Sequence, residues 1–144
     1  MTHRTPTLIS CLRLGRMAEA EVTRSLTETG LDATGYLLLT LLDEEGPADS
    51  AAALAQMAGL SKQAAQQALE RLSLQHVVAG YRSCDDRRAT EWHLEPEGQF
   101  RLDCARSFLE CVEARLRRQA PDAGAIDRLR FALDEPIRLA GYDA

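Results

Sequence analysis

Between Ser50 and Leu94 the apolar residues change their period once, and that change limits the folds open to the chain. Leu54 and Met57 lie three apart. After Gly59, residues Ala65, Ala68, Leu69 and Leu72 recur at three and four, the spacing of one helix face. Asp49 or Ser50 is placed to cap the first of these short helices and Gly59 to stop it. Ser61 is placed to cap the second, which runs to about Leu74. From Val77 the pattern becomes that of strands. Val77 to Tyr81 is rich in β-formers, and from Ala89 to Leu94 the residues Thr90, Trp92 and Leu94 alternate with Glu91 and His93. With the polar cluster Arg82 to Arg88 between them, these segments predict an antiparallel hairpin after two helices joined by a tight turn.

Helices are expected on both sides of this unit. Leu8, Leu12, Gly15, Val22 and Leu26, with Cys11, Leu14 and Ala18 beside them, trace a helical stripe that Gly30 is expected to end. Asp32 should cap a second helix that turns Leu37, Leu38, Leu41 and Leu42 inward and closes at Glu44 to Pro47. Pro96 suits the first turn of a long helix to about Gln119, with Phe100, Cys104, Phe108, Cys111 or Val112, and Arg115 or Leu116 as its stripe. Pro121 to Gly124 then breaks the chain before a last helix holding Ile126, Leu129, Leu133 and Ile137, which Pro136 should kink or shorten. The expected fold class is mainly α with a small β-hairpin wing, in a single domain over residues 1–144.

Composition removes several alternatives. At 45% hydrophobic and 27% charged residues, the chain is too apolar to stay disordered at a net charge of −5. Its longest apolar run, Tyr36 to Leu42, is interrupted by Thr40 and falls far short of the ~18 residues a membrane span needs. Met1 to Met17 scatters His3, Arg4, Arg13 and Arg16 among single apolar residues, so it is not expected to be a signal peptide. The expected compartment is therefore the cytoplasm, where thiols stay reduced. Cys11, Cys84, Cys104 and Cys111 form no Cys-x-x-Cys pair, and Cys104 and Cys111 stand roughly 10.5 Å apart along one helix axis, too far for a disulfide within it. His3, His76 and His93 are dispersed, so no metal and no cofactor is expected. No Ser/His/Asp, Cys/His or phosphate-loop arrangement occurs at a credible spacing, so an enzyme is not expected.

The chemistry gathers on the second short helix and the hairpin tip. Gln63, Gln66, Gln67 and Glu70 follow one another at three and four residues on the side away from the apolar stripe, with Lys62 adjoining. A helix fits the major groove of DNA, where glutamine amides match adenine at N6 and N7. Ser61 and Lys62, at the helix start, suit phosphates or base edges. The plain alternative is a solvated helix face, since exposed Gln and Lys are good helix formers anyway. At the hairpin tip Arg82, Arg87 and Arg88 flank Ser83, Asp85 and Asp86. Guanidinium groups there suit phosphates and a narrow minor groove, the alternative being a charge-balanced turn. From Ser61 to Trp92, Lys62, Arg71, Arg82, Arg87 and Arg88 only narrowly outnumber Glu70, Asp85, Asp86 and Glu91, so binding would depend on where each charge points.

Several of these elements together resemble the MarR family of bacterial transcriptional regulators. The similarity runs from Gly30 to Gly98 through Gly30-Leu31-Asp32, the leucine run Leu37 to Leu42, Leu54-Ala55, Gly59-Leu60-Ser61-Lys62-Gln63, Leu69 to Leu72 and Val77-Val78. It is most specific at Asp85-Asp86-Arg87-Arg88-Ala89 and Leu94-Glu95-Pro96-Glu97-Gly98. The resemblance implies a winged helix-turn-helix over residues 31–95 and helical dimerisation regions at 5–29 and 96–142. It further implies a homodimer on double-stranded DNA at a pseudopalindromic operator, with Ser61, Lys62, Gln63, Gln66 and Gln67 on the major groove. Asp86 would orient Arg88 toward the minor groove. The implied function is a sequence-specific DNA-binding transcriptional regulator, a repressor released by a small-molecule ligand or an oxidant. A small aromatic or phenolic effector would find anchoring groups in Arg13, Arg16 and Tyr36, and Cys11 is the redox candidate; each of these has a plain structural alternative. The chain departs from the family pattern in having Gln66 and Gln67 where a hydroxyl or arginine is usual. Glu95 replaces a threonine cap, and His76 stands where a glycine commonly precedes the valines. The competing reading is a winged-helix protein-interaction module that has lost DNA binding.

Overall fold

The computed structural model describes residues 7–85 and 88–119, together with Asp122, Gly124, Asp127, Arg128, Arg130, Phe131, Ala132 and Asp134. Its elements are α1 (Thr7–Ser25), a 3-10 turn (Thr27–Thr29), α2 (Ala33–Glu45), α3 (Ala51–Ala58), α4 (Lys62–Leu74), β1 (Val78–Arg82), β2 (Thr90–Leu94) and α5 (Pro96–Gln119). Ile126, Leu129, Leu133, Pro136 and Ile137, expected in a last helix, lie outside the described residues, although Asp127, Arg128 and Arg130 to Ala132 are helical.

Side-chain caps set the helix starts. Asp32 Oδ1 accepts from Gly35 N at 2.7 Å, Ser50 Oγ from Ala53 N at 3.1 Å and Ser61 Oγ from Ala64 N at 3.1 Å, each taking one amide that the helix itself leaves free. Gly59, at φ 67°, lets Leu60 N reach Ala55 O at 2.9 Å and closes α3 against the start of α4. Helix α1 ends earlier than Gly30 predicts. The Thr27 and Thr29 hydroxyls donate to the carbonyls of Arg24 and Leu26, and this competition tightens the chain into the 3-10 turn before Gly30. His76 adopts φ 60°, so the position that commonly carries a glycine does require a left-handed backbone here.

The core gathers Leu38, Leu39, Leu54, Leu69, Val78, Trp92 and Leu102 from α2, α3, α4, both strands and α5, together with Leu26 and Val77 from the connections. Helix α4 buries the expected stripe, Ala65, Ala68, Leu69 and Leu72. Helix α2 corrects its expected one: it buries Gly35, Leu38, Leu39 and Leu42, while Leu37 is exposed and Leu41 only packs against the core. Its leucine run is apolar all round, so spacing alone does not choose the inward face. Helix α5 also differs, burying Gly98, Leu102 and Ala105 while Phe100, Phe108 and Leu116 face outward. At Gly98 the helix comes so close to β1 that a methyl group would overlap the Val77 carbonyl and stand 2.7 Å from Leu94 Cδ1.

The arms differ from this body. Every residue of α1 from Leu8 to Ala20 is exposed, including Leu8, Ile9, Leu12, Leu14 and Met17. Only the end of α1 reaches the core, through the partly buried Val22 and through Leu26, which follows the helix. Arg115 of α5 holds Glu21 of α1 at 3.1 Å, and Arg106 of α5 holds Asp43 of α2 at 2.7 Å.

Candidate nucleic-acid interface

The segment leading into α3 and the hairpin are fixed to one another by backbone hydrogen bonds. β1 and β2 pair antiparallel, with Val78 opposite Leu94 and Arg82 opposite Thr90. Trp92 N donates to Ala48 O at 2.8 Å and Ala48 N to Trp92 O at 3.0 Å, which ties the hairpin to the segment leading into α3. The Trp92 ring lies across Gly80, its strand partner, where a Cβ would come within 3.3 Å of it and 2.7 Å of Thr90 Cγ2. These contacts hold the wing against the segment that enters α3. Sequence reasoning missed Ala48, because a single bridging residue between two helices leaves no periodic signal.

On this frame α4 buries its alanine and leucine stripe and turns its polar side outward. Lys62, Gln63, Gln67 and Glu70 are exposed, as is Ser61, whose hydroxyl is engaged as the cap. Gln66 is half-buried and donates through Nε2 to Glu70 Oε1 at 2.9 Å. Lys62, Gln66 and Arg88 line one cleft of about 330 Å³ with Ser50 and Trp92, so the structure brings together groups from α3, α4 and the wing. Arg82, at the end of β1, and Arg88, in the turn before β2, are both exposed. Asp86 and Arg87 lie outside the described residues. The Trp92 indole nitrogen is buried without a hydrogen-bond partner among the described residues.

The two hairpin faces differ. Val78, Gly80, Trp92 and Leu94 lie toward the core, and Tyr81, Glu91 and His93 on the other side. Tyr81 Oη donates to Glu95 Oε1 at 3.1 Å, and its ring meets His93 edge-on at 5.0 Å. The hydrogen bond to the Glu95 carboxylate, then the repulsion between that charge and a phenolate, raise the Tyr81 pKa above its ordinary value of 10.0. Among the described residues the wing tip thus carries Arg82 and Arg88 beside Asp85, and the strand that returns from it carries Glu91 and leads to Glu95.

A cavity of about 530 Å³ lies between α1, the start of α2 and the α3–α4 turn, lined among others by Cys11, Arg16, Leu37 and Gly59. Of the anchoring candidates, Arg16 lines it together with Cys11; Arg13 and Tyr36 do not. Cys11, Cys84 and Cys111 are exposed and Cys104 is half-buried, all as free thiols. Among the described residues no three His, Cys, Asp or Glu side chains converge as metal ligands, and no helix is long and apolar enough to cross a membrane.

Two short helices meeting at a left-handed glycine, a hairpin behind them and long helices at either end define a winged helix-turn-helix with helical arms. No family model matches the chain, and no curated protein matches it by sequence. Solved structures do match its fold. The transcriptional regulator PA4135 superposes with a TM-score of 0.80 at 22% identity, over 93% of this chain and 98% of the other. The M. tuberculosis transcriptional regulator MOSR, in complex with DNA, gives 0.76 at 19% identity over 95% and 97%. A MarR family protein of M. tuberculosis in complex with salicylic acid gives 0.73 at 23% over 94% and 98%. The chain thus has the fold of MarR-family transcriptional regulators along nearly its whole length.

Proposed function

We propose that the protein is a sequence-specific DNA-binding transcriptional regulator of the MarR type, a homodimer that represses from a pseudopalindromic operator. The observation that carries this reading is the cleft joining Lys62 and Gln66 of α4 to Arg88 of the wing. Helix α4 offers amides and an ammonium group to a major groove, while Arg82 and Arg88 reach the flanking backbone and minor groove. Asp86 and Arg87 complete the wing tip in this reading. The likeness to MOSR, whose structure holds DNA, supports the same use of the fold. A second copy covering the outward apolar side chains of α1 and α5 would supply the second α4 for the other half-site.

The cavity beside Gly59 supports control by a small effector. An aromatic or phenolic acid held by Arg16 there would press on the turn that sets the start of α4, and oxidation of Cys11 would act at the same place. The likeness to a relative holding salicylic acid points the same way.

Fluorescence anisotropy of the full chain against its own upstream intergenic DNA and a scrambled duplex, at low and physiological salt, tests the reading. Tight, selective binding that weakens steeply with salt is expected, with most of it lost in Arg88→Ala. Equal, weak binding to both duplexes by the reduced, dialysed protein would favour the protein-interaction module instead, in which Arg88→Ala leaves partner binding intact.

A further inference from the structure

Of the three glutamines on the outer side of α4, Gln66 alone has its amide committed to a neighbour among the described residues: Nε2 donates to Glu70 Oε1 at 2.9 Å, one turn further on. An ionised carboxylate only accepts, so the nitrogen of the amide, and not its oxygen, faces Glu70. Donation through the N–H that points away from the amide carbonyl would reach the carboxylate without bringing the two oxygens together. The remaining N–H and the carbonyl oxygen then lie side by side on the opposite edge. A donor beside an acceptor is what adenine requires at N7 and N6 in the major groove. Guanine offers two acceptors there, so the same edge would set an oxygen against an oxygen unless the bond to Glu70 broke. Gln63 and Gln67 are exposed and make no side-chain hydrogen bond to a described residue, so either orientation is open to them.

We propose that Glu70 is a positioning residue for base recognition, which presets Gln66 for adenine and makes the base pair under Gln66 the most selective glutamine-read position of each half-site. The inference rests on the DNA-binding reading of α4. The bond to Glu70 orders part of the Gln66 side chain already in the free protein, so less is lost on binding the right base. The Glu70 charge, close to phosphates, simultaneously weakens binding to DNA of any sequence.

The test is selection from a duplex library with randomised half-sites at physiological salt, sequencing the fraction bound by the full-length wild type, Gln66→Ala, Glu70→Ala and Glu70→Gln. Gln66→Ala identifies the base pair, which should be adenine in the wild-type selection. Glu70→Ala should lower the adenine preference at that one position roughly twofold, leave the others as they are, and bind random duplex as well as the wild type or better. Glu70→Gln should fall between, since an amide at 70 accepts or donates and no longer dictates which end of Gln66 faces it. Glu70 is exposed, and unchanged thermal melting of both variants should accompany the change in preference. An unaltered adenine preference in Glu70→Ala, a loss spread over all positions, or a base other than adenine under Gln66 would overturn the proposal. Failure of the wild type to enrich any sequence would instead overturn the DNA-binding reading beneath it.

Discussion

The winged body and the helical arms use apolar residues in opposite ways. Between Leu26 and Ala105 most of the leucines and valines converge on one core, where Leu38, Leu39, Leu54, Leu69 and Leu102 are fully buried, although Leu37, Leu74, Tyr81 and Phe100 are exposed. In α1 the same kind of residue is left in solvent: Leu8 is 81% exposed, Met17 67% and Leu12 55%. Single exposed leucines are ordinary, but five large apolar residues on one stretch of helix leave apolar surface that needs a partner. The body folds against itself, whereas α1 leaves its large apolar side chains uncovered. In the proposed reading, dimerisation belongs to a separate part of the molecule from base reading, and each should yield to its own substitutions.

The largest effect should come from the arms. Leu8→Glu combined with Leu12→Glu places charge at two positions in each of two copies, and the lost burial is on the order of 6 kcal/mol of dimer stability. Sedimentation should show a monomer at micromolar concentration, with the melting temperature of the variant no longer dependent on protein concentration. A dimer of undiminished strength would show that α1 is not the interface.

Leu69→Ala attacks the body instead. Leu69 is fully buried between α4 and the rest of the core, and its truncation should cost about 2 to 5 kcal/mol. Denaturant unfolding should report a lower midpoint. Sedimentation at native conditions should still report the dimer, because the arms keep their apolar faces.

This division also explains which parts of the molecule are legible in the residues. Helix α4 has one apolar face and one polar face, so spacing by itself assigns Ala65, Ala68, Leu69 and Leu72 inward and Lys62, Gln63 and Gln67 outward. Helix α5 has two apolar faces, and spacing brings out the Phe100–Phe108 stripe without telling whether its own body or another copy covers it. The buried face runs instead through Gly98, Leu102 and Ala105, set by the close approach at Val77. The left-handed backbone at His76 is foreseeable from a pattern that places glycine there. The Ala48–Trp92 bridge and the cavity beside Cys11 join residues far apart in sequence, and nothing local in either segment announces its partner.

The smallest effect lies at the joint between body and arm, where Glu95 precedes Pro96 at the start of α5. Glutamate is a poor cap, and here its carboxylate accepts from the Tyr81 hydroxyl. Glu95→Thr should add a cap worth about 1 kcal/mol, offset by the loss of that exposed hydrogen bond, and so raise the melting temperature by roughly 1 to 3 °C at neutral pH. The pH dependence gives the sign a second check. Because the pKa of Tyr81 is raised in the folded protein, its contribution is fully present below the ordinary tyrosine value of 10.0 and is lost as pH rises through the folded value. Wild type should therefore lose stability in alkali that the threonine variant keeps, and the gap between their melting temperatures should widen above pH 10. Spectrophotometric titration should show the Tyr81 phenolate appearing at lower pH in the variant. A gap that narrows in alkali would mean that Glu95 does not govern Tyr81, and an unchanged melting temperature at neutral pH would mean that α5 draws its cap from elsewhere.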